Sequence, residues 1–200
     1  MKPARISPFN LFAAVLVLAS CAPPPGAEPG EKPGVWRWDV KTMSDPGESK
    51  VDLAHPQPLT VAQAAAFTAP DQELLEHTPR GAGPQEFQTF DMKVEAVDYK
   101  LEDDGDYHLL VTDKGEDTRL GVEFPLPGFA PNSKITGLLQ SARSAMESLA
   151  HRRAARKTGY TSLPHIPIEI VGVGFWDDPH GQRGLKSGFE LHPVLSLRVL

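Results

Sequence analysis

Near the end of the chain the sequence reads IPIEIVGVGFW (166–176), DDPHGQRGLKSG (177–188) and FELHPVLSLRV (189–199). The first and third pieces are rich in β-branched and aromatic residues, which is typical of strands, and the polar piece between them is typical of a connection. Gly172 and Gly174 interrupt the first strand and favour a bend in it. We therefore expect two long neighbouring strands here, on which the rest of the fold depends.

Three further strands are predicted upstream, over 86–101, 107–112 and 118–124. Asp104-Gly105 and Lys114-Gly115 supply the turns between them. In the first of these strands the apolar residues change from one face to the other near its middle. Such a change indicates a bulge in a strongly bent strand, which is a common device for closing a small barrel.

One long helix is predicted over 135–150, where apolar residues recur at helical spacing. Asn132 or Ser133 is the predicted N-cap, and Gly159 is the predicted stop. The apolar stripe is typical of core packing and not of a binding site. Its members are Ile135, Leu138, Leu139, Ala142, Met146, Leu149 and Ala150.

The element order β-β-β-α-β-β predicts the fold class. It is mainly β with one long helix between the third and fourth strands, as in the small five-stranded Greek-key barrel of the oligonucleotide/oligosaccharide-binding (OB) fold. We expect an OB-like barrel over 86–200, and a β-sandwich with a decorative helix is the alternative. Residues 35–85 lack clear periodicity and are interpreted as an irregular extension on the barrel, with a short helix over 61–67 capped by Thr60.

The N-terminal residues have the features of a secretory signal. Lys2 and Arg5 precede a mostly apolar run, 6–18, which at about 13 residues is too short to span a bilayer comfortably. The sequence LASC (18–21) that follows resembles the bacterial lipobox, in which the cysteine is acylated and becomes the new N-terminus. An ordinary secretory signal with a chance cysteine is the alternative.

The lipobox resemblance implies a location for the protein. Residues 1–20 would be a lipoprotein signal peptide, Cys21 would carry fatty acyl chains, and the Pro/Gly-rich segment 21–34 would be an extended linker. We therefore expect a lipid-anchored protein of the bacterial cell envelope. In a Gram-negative host, Ala22 in place of Asp after the cysteine resembles the outer-membrane sorting class.

The net charge and the cysteine content argue against two classes of protein. The formal net charge of −6 disfavours nucleic-acid binding, because an acidic chain repels phosphate backbones. The chain has one cysteine, so it cannot form an internal disulfide framework.

Three phrases carry a wider resemblance: YKLEDDGDYHLLVTD (99–113), GVGFWDDPHGQRG (172–184) and ELHPVLSLRV (190–199). They resemble a set of uncharacterised bacterial secreted or lipid-anchored proteins that carry DGDYHL, GVGF-aromatic-D-x-x-HGQ and ELHPVL motifs. This chain departs from that pattern at Arg183, where threonine is expected, and at Phe189, where isoleucine is expected. The resemblance implies an extracytoplasmic location and implies no reaction.

Acidic residues and histidines concentrate at two predicted loops, 102–106 and 177–188, which in an OB-like barrel flank the usual binding face. Imidazole plus carboxylate suits zinc or another divalent transition metal ion. Glu190 and His192, two residues apart on a strand, point to the same face. The candidate metal ligands are His108, Asp177, His180, Glu190 and His192, with Asp104 and Asp106 as further members of the set.

A structural interpretation competes with the metal. Acidic residues are normal in hairpin turns, and His192 before a proline can simply bond a neighbouring backbone group. No HExxH, CxxC or EF-hand pattern supports a metal site, so a divalent metal such as zinc is a candidate cofactor and no cofactor is firmly implied. The same loops supply candidate binding residues, namely Asp103, Asp104, Asp106, Asp178, Gln182 and Arg183.

Three functions stay open from the sequence. The first is a non-enzymatic binding module of the envelope that presents loops 102–106 and 177–188 to a saccharide, a peptide or another envelope protein. The second is a divalent-metal-dependent hydrolase of phosphodiesters or glycans with its site on the same loops. The third is a structural spacer. There is no GxSxG motif and Cys21 is predicted to carry lipid, so no catalytic residue is assigned.

Overall fold

The computed structural model describes residues 36–130, 132–151, 159–178 and 183–200. The predicted signal peptide, Cys21 and the predicted linker lie outside these ranges, so these three assignments stay predictions from the sequence. The elements, in chain order, are α1 (Trp38–Lys41), β1 (Asp52–Pro58), α2 (Val61–Ala65), β2 (Gln88–Leu101), β3 (Tyr107–Thr112), β4 (Leu120–Phe124), α3 (Thr136–Ala150), β5 (Thr161–Trp176) and β6 (Phe189–Val199). Short 3₁₀ helices lie at Glu48–Lys50, Pro84–Phe87 and Pro127–Phe129.

The strands form one sheet in the order β1-β2-β3-β4-β6-β5, and β2 also pairs with β5. That extra pairing closes β2, β3, β4, β6 and β5 into a five-stranded barrel. β4 and β6 run parallel, the other neighbours in the barrel are antiparallel, and α3 lies between β4 and β5 in the chain. The predicted OB-like Greek-key barrel is confirmed, and the β-sandwich alternative does not apply.

Bulges bend the two strands that close the barrel. The pairing of β2 with both of its barrel neighbours shifts register between Ala96 and Asp98, where the sequence predicts a bulge. The pairing of β5 with β6 shifts on either side of Gly172, next to the predicted bend. Both strands can therefore pair on two sides and still curve around a small core.

Alternate residues of the barrel strands face one apolar core. Met146 and Leu149 of α3 belong to the same buried cluster, which agrees with the core-packing interpretation of the helical stripe, but Leu138 of that stripe is exposed. The strands that matter for the site contribute Leu109 and Val111 from β3, Leu120 and Val122 from β4, and Phe189 and Leu191 from β6. The residues between them therefore point away from this core.

The predicted N-cap of α3 is wrong. Ile135 occupies the N-cap position and makes no side-chain capping bond. Ser133 instead accepts from the backbone N–H of Ile135 through its hydroxyl, at 3.3 Å, and from the Thr136 hydroxyl through its carbonyl, at 2.7 Å. The helix thus begins two or three residues later than a cap at Ser133 or Asn132 requires.

The described part of the extension, residues 36–85, is more regular than its sequence indicates. Thr60 caps α2 with a full capping box, as predicted. β1 was not predicted: it pairs in parallel with β2 at the edge of the sheet. No helix within the described ranges is long and apolar enough to cross a bilayer.

Two buried ion pairs fix the extension: Arg37 with Glu86 joins it to the barrel domain, and Arg80 with Asp45 joins two parts of the extension itself. Arg37 donates to both carboxylate oxygens of Glu86, at 2.7 and 2.9 Å, and to the carbonyl of Trp176. Arg80 pairs with Asp45 at 2.9 Å. Because all four charged side chains are almost fully buried, the extension is an integral part of the folded unit.

Candidate metal centre

Strand register places four polar side chains and a glycine side by side on the outer face of the barrel. His108 of β3 lies opposite Glu123 of β4, and Gly121 of β4 lies opposite Glu190 of β6. Glu123 and His192 are each two residues further along the parallel β4–β6 pair, so they occupy the same level. Since these positions alternate with core residues, their side chains converge on one patch of the opposite face.

This patch is buried although its side chains are polar. The exposed fraction is 0% for His192, 1% for His108 and Glu190, 1% for Asp106, which directly precedes β3, and 5% for Glu123. Burial of ionisable groups at this level is rare unless they are paired or bind an ion. We call these five residues the polar cluster.

Glu123 lies at the centre of the polar cluster. Its Oε1 is 3.1 Å from Nδ1 of His108, and its Oε2 is 3.0 Å from Nδ1 of His192. On the far side of the second imidazole, Nε2 of His192 is 3.7 Å from Oδ2 of Asp106. Each oxygen of this carboxylate therefore faces a different imidazole.

Several polar atoms of the cluster have no hydrogen-bond partner among the described residues. They are both carboxylate oxygens of Glu190, Nε2 of His108, both ring nitrogens of His192 and Oδ2 of Asp106. The contact between His192 and Glu123 has the distance of an ion pair but not the geometry of a hydrogen bond. An unpartnered buried polar group costs about 1–3 kcal/mol, so a group of such atoms in one place calls for a further ligand.

The donor atoms fall into two overlapping triads. One triad is Asp106, Glu123 and His192, and the other is His108, Glu123 and Glu190. Within each triad one ligand atom per residue lies within 4.8 Å of the others. Ligands bonded to one ion at about 2 Å lie within about 4 Å of each other, so small side-chain movements would complete either site.

Gly121 makes room for the second triad. A Cβ at this position would lie 2.8 Å from Oε1 of Glu190 and 2.9 Å from Nε2 of His108, and real Cβ atoms essentially never approach heavy atoms so closely. Gly184, in the connection between β5 and β6, lies against Gly121. A Cβ on Gly184 would be 3.3 Å from the backbone nitrogen of Gly121. Two glycines thus leave space around the unpartnered atoms of His108 and Glu190.

Aromatic rings and one ammonium group surround the remaining sides of the polar cluster. Phe175 packs against the His192 ring at 5.4 Å, and Tyr160 packs edge-on against the His108 ring at 5.8 Å. The Lys41 ammonium, from α1, lies over the rings of Phe175 and Trp36, at 5.6 and 5.9 Å. The extension therefore contributes both apolar cover and a positive charge.

Charge interactions set the protonation of the central groups. Burial alone would raise the pKa of Glu123, but the attraction of His192 and Lys41 and a hydrogen bond with His108 hold it well below its usual range. Burial would lower the pKa of His108, but hydrogen bonds to Glu102 and Glu123 and the charges of Glu123 and Glu190 raise it to about 10. Glu123 is therefore ionised, and His108 carries a proton that any bound cation would displace.

The pKa values of Glu190, Asp106 and His192 shift in the directions that favour their neutral forms. Burial and the charge of Glu123 raise the pKa of Glu190 well above its usual range, and burial and the charges of Asp104 and Glu123 do the same for Asp106. Burial lowers the pKa of His192, against the attraction of Glu123. A neutral imidazole has the free lone pair that a metal ion requires.

The structure brings together four residues of the predicted metal-ligand set, Asp106, His108, Glu190 and His192, and adds Glu123. Asp177, at the end of β5, is buried, and its charge raises the pKa of both Lys41 and Glu190. His180 and Gln182 lie outside the described residues.

The other predicted binding residues lie at the surface. Asp103 and Asp178 are exposed. Asp104 is half-buried and accepts a hydrogen bond from the backbone N–H of Asp106 at 3.1 Å. Arg183 is exposed, with its guanidinium 5.1 Å from the Tyr160 ring. The polar cluster thus lies on the faces of strands, whereas the sequence directs attention to the loop tips.

Sequence reasoning missed Glu123, the residue common to both triads, and the supporting Lys41 and Gly121. A single glutamate in the otherwise apolar stretch LGVEF (120–124) is the signal that was present. Every residue of that strand is buried, so its one acidic side chain needs a partner inside the protein.

Comparison of the chain with protein-family models, with curated proteins and with solved structures finds no match. The resemblance of its motifs to lipid-anchored bacterial proteins therefore stays a prediction, and the candidate site is argued from its own geometry.

Proposed function

We propose that the chain is a lipid-anchored protein of the bacterial cell envelope whose barrel is a non-enzymatic module that binds a divalent metal ion. The observation that carries this proposal is the polar cluster itself, where buried imidazole and carboxylate atoms lie together without hydrogen-bond partners in the part of the chain that the structure describes. Zinc fits these donors best, because a mixed nitrogen and oxygen set suits Zn²⁺, whereas Ca²⁺ and Mg²⁺ prefer oxygen ligands alone.

Burial supports binding over catalysis. The imidazoles are 0–1% exposed, and a catalytic zinc site keeps a coordination position open to water and substrate. Closed sites are typical of metal ions that stabilise a fold or that the protein stores. The ion would neutralise carboxylates that otherwise repel one another across the Glu123–Glu190 contact.

A competition titration tests the metal site. The full chain, purified in detergent and stripped with a chelator, is titrated with Zn²⁺ against a chromogenic chelator. We expect tight binding and a loss of at least about tenfold in Glu190→Gln and His108→Gln. His165→Gln is the matched control, because His165 is 61% exposed and pairs with Glu95 far from the cluster. Wild-type protein that fails to compete for zinc contradicts the proposal.

The anchor is tested separately in a bacterial host fed a radiolabelled or alkyne-tagged fatty acid. We expect label on the wild-type chain and none on Cys21→Ser, together with loss of the variant from the membrane fraction. Equal labelling of both chains contradicts the lipid anchor and leaves the metal site untouched.

A metal-dependent hydrolase is the second candidate, favoured by the polar groups outside the cluster. Tyr160 covers His108, and Arg183 stacks on Tyr160, which places a phenol and a guanidinium above the metal ligands. Zinc-loaded protein is tested on an activated phosphodiester and on aryl glycosides. Turnover that disappears in Glu123→Gln would replace the binding module by the hydrolase.

A further inference from the structure

We propose that the polar cluster holds two divalent metal ions bridged by the carboxylate of Glu123. This inference rests on the proposed metal binding and adds to it the number of ions and the assignment of ligands. Asp106 and His192 would hold one ion, and His108 and Glu190 the other.

The orientation of Glu123 is the first argument. Its two oxygens face in different directions, Oε1 to His108 at 3.1 Å and Oε2 to His192 at 3.0 Å. A carboxylate that chelates one ion directs both oxygens to a single point, whereas one that bridges two ions presents one oxygen to each. Two ions so bridged lie roughly 3.5–4 Å apart.

The division of the remaining donors is the second argument. The two triads share Glu123 and no other residue, and each triad adds one further carboxylate and one imidazole. A single ion in either triad would leave an imidazole and a carboxylate of the other buried and without partners. Filling both positions gives a partner to Glu190, to Nε2 of His108, to one nitrogen of His192 and to Asp106, which filling one position does not.

Charge balance is the third argument. With both imidazoles neutral and the carboxylates ionised, Asp106, Glu123 and Glu190 bring three negative charges and Asp177 a fourth, against one positive charge from Lys41. A single divalent ion therefore leaves a net negative charge, which a second divalent ion removes. One ion would leave buried carboxylates uncompensated, and such charges are costly in a region of low exposure.

Native mass spectrometry of the zinc-loaded full chain counts the ions. We expect two zinc ions in the wild type, one in Asp106→Asn, one in Glu190→Gln, and none in the double variant. Asp104→Asn is the matched control: Asp104 adjoins the site but belongs to neither triad, and asparagine can still accept the Asp106 N–H bond. Circular dichroism of each variant establishes that it is folded before its ions are counted.

The outcomes separate the two proposals. A wild type with one zinc ion overturns the bridged pair and leaves the proposed metal binding intact. A folded wild type with none overturns both. Two ions that persist unchanged in both single variants would overturn the assignment of ligands, because the ions would then lie elsewhere in the chain.

Discussion

Gly121 of β4 lies directly opposite Glu190 of β6, and a methyl group on Gly121 would lie 2.8 Å from the glutamate oxygen Oε1. The pair shows how the strand register makes the site: a residue without a side chain on one strand gives a buried carboxylate on the next the room to meet His108. The same glycine is unremarkable in the sequence, between two apolar residues of a predicted strand.

Gly121→Ala should therefore weaken metal binding without removing any ligand. We expect zinc affinity to fall by roughly 10–100-fold, the usual cost of disturbing the groups that orient metal ligands. The measurement is the zinc competition titration. Gly137→Ala in α3 is the control, since a Cβ there meets nothing within 4 Å; equal affinity in the two variants would contradict the role given to Gly121.

Lys41 should oppose the metal. The charges of Glu123, Asp177 and Glu190 raise the pKa of Lys41 despite its burial, so its ammonium stays charged beside the cluster. Lys41→Met should tighten zinc binding by roughly tenfold or more, since unit charges a few Å apart in a protein interact by about 1–4 kcal/mol. The same change should lower the stability of the zinc-free protein, where Lys41 and the protonated His108 compensate the buried carboxylates.

Calorimetric titration and thermal unfolding of Lys41→Met, each with and without zinc, check both halves of this prediction. Lys93→Met is the control, because the Lys93 side chain is 70% exposed and lies away from the cluster. Weaker zinc binding in Lys41→Met would show that Lys41 supports the site and does not compete with the ion.

The zinc-free protein should lose stability as the pH rises. The pKa of His108 is about 10 in the folded protein against an ordinary 6.5, so the folded state binds this proton more tightly than the unfolded state. The resulting stability is complete below pH 6.5 and is lost between pH 6.5 and about 10. The raised pKa values of Glu190 and Asp106 act in the same direction from their ordinary values of 4.5 and 3.8 upward, and the lowered pKa of His192 opposes them below 6.5.

Urea unfolding of chelator-stripped protein at several pH values measures this slope. We expect His108→Gln to flatten the decrease between pH 6.5 and 10, and the exposed His165→Gln to keep it. A wild-type profile that is flat over this interval would mean that His108 is neutral in the folded protein.

The extension should contribute to the stability of the whole chain through Arg37 and Glu86. Both side chains are 0% exposed, so Glu86→Ala leaves a buried guanidinium without its partner and should cost about 3–5 kcal/mol. Glu169→Ala, which breaks the surface pair with Arg198, should cost about 0–1 kcal/mol. Urea unfolding compares the two, and a similar small loss in both would show that the extension packs only loosely on the barrel.

Much of the barrel follows from local sequence pattern. Alternation of apolar residues, glycine-containing turns such as Asp104-Gly105, and one helical stripe are each visible within about 16 residues, and their order fixes the topology. β1 could not be found in this way. Its sequence, DLAHPQP (52–58), contains two prolines and no apolar alternation, and it exists because it pairs along the edge of β2.

Only part of the candidate site could be predicted from the sequence. Because side chains alternate between the two faces of a strand, Glu190 and His192 were predicted to share one face, and His108 and His192 were correctly predicted to lie near the site. Glu123 was missed because a single glutamate in a strand ordinarily faces solvent. The positive charge of Lys41 that acts on Glu123 comes from a segment some 80 residues earlier in the chain, and no local pattern reveals that this segment packs on Phe175 of β5.

X-ray diffraction at the zinc absorption edge, from crystals of the full chain equilibrated with zinc, tests the metal centre most directly. The strongest anomalous peaks should lie among His108, Glu123, Glu190 and His192, with about 2.0–2.1 Å from metal to nitrogen and about 2.0–2.2 Å from metal to oxygen. A map without an anomalous peak there, in which these side chains bond only to water or to one another, would contradict the account.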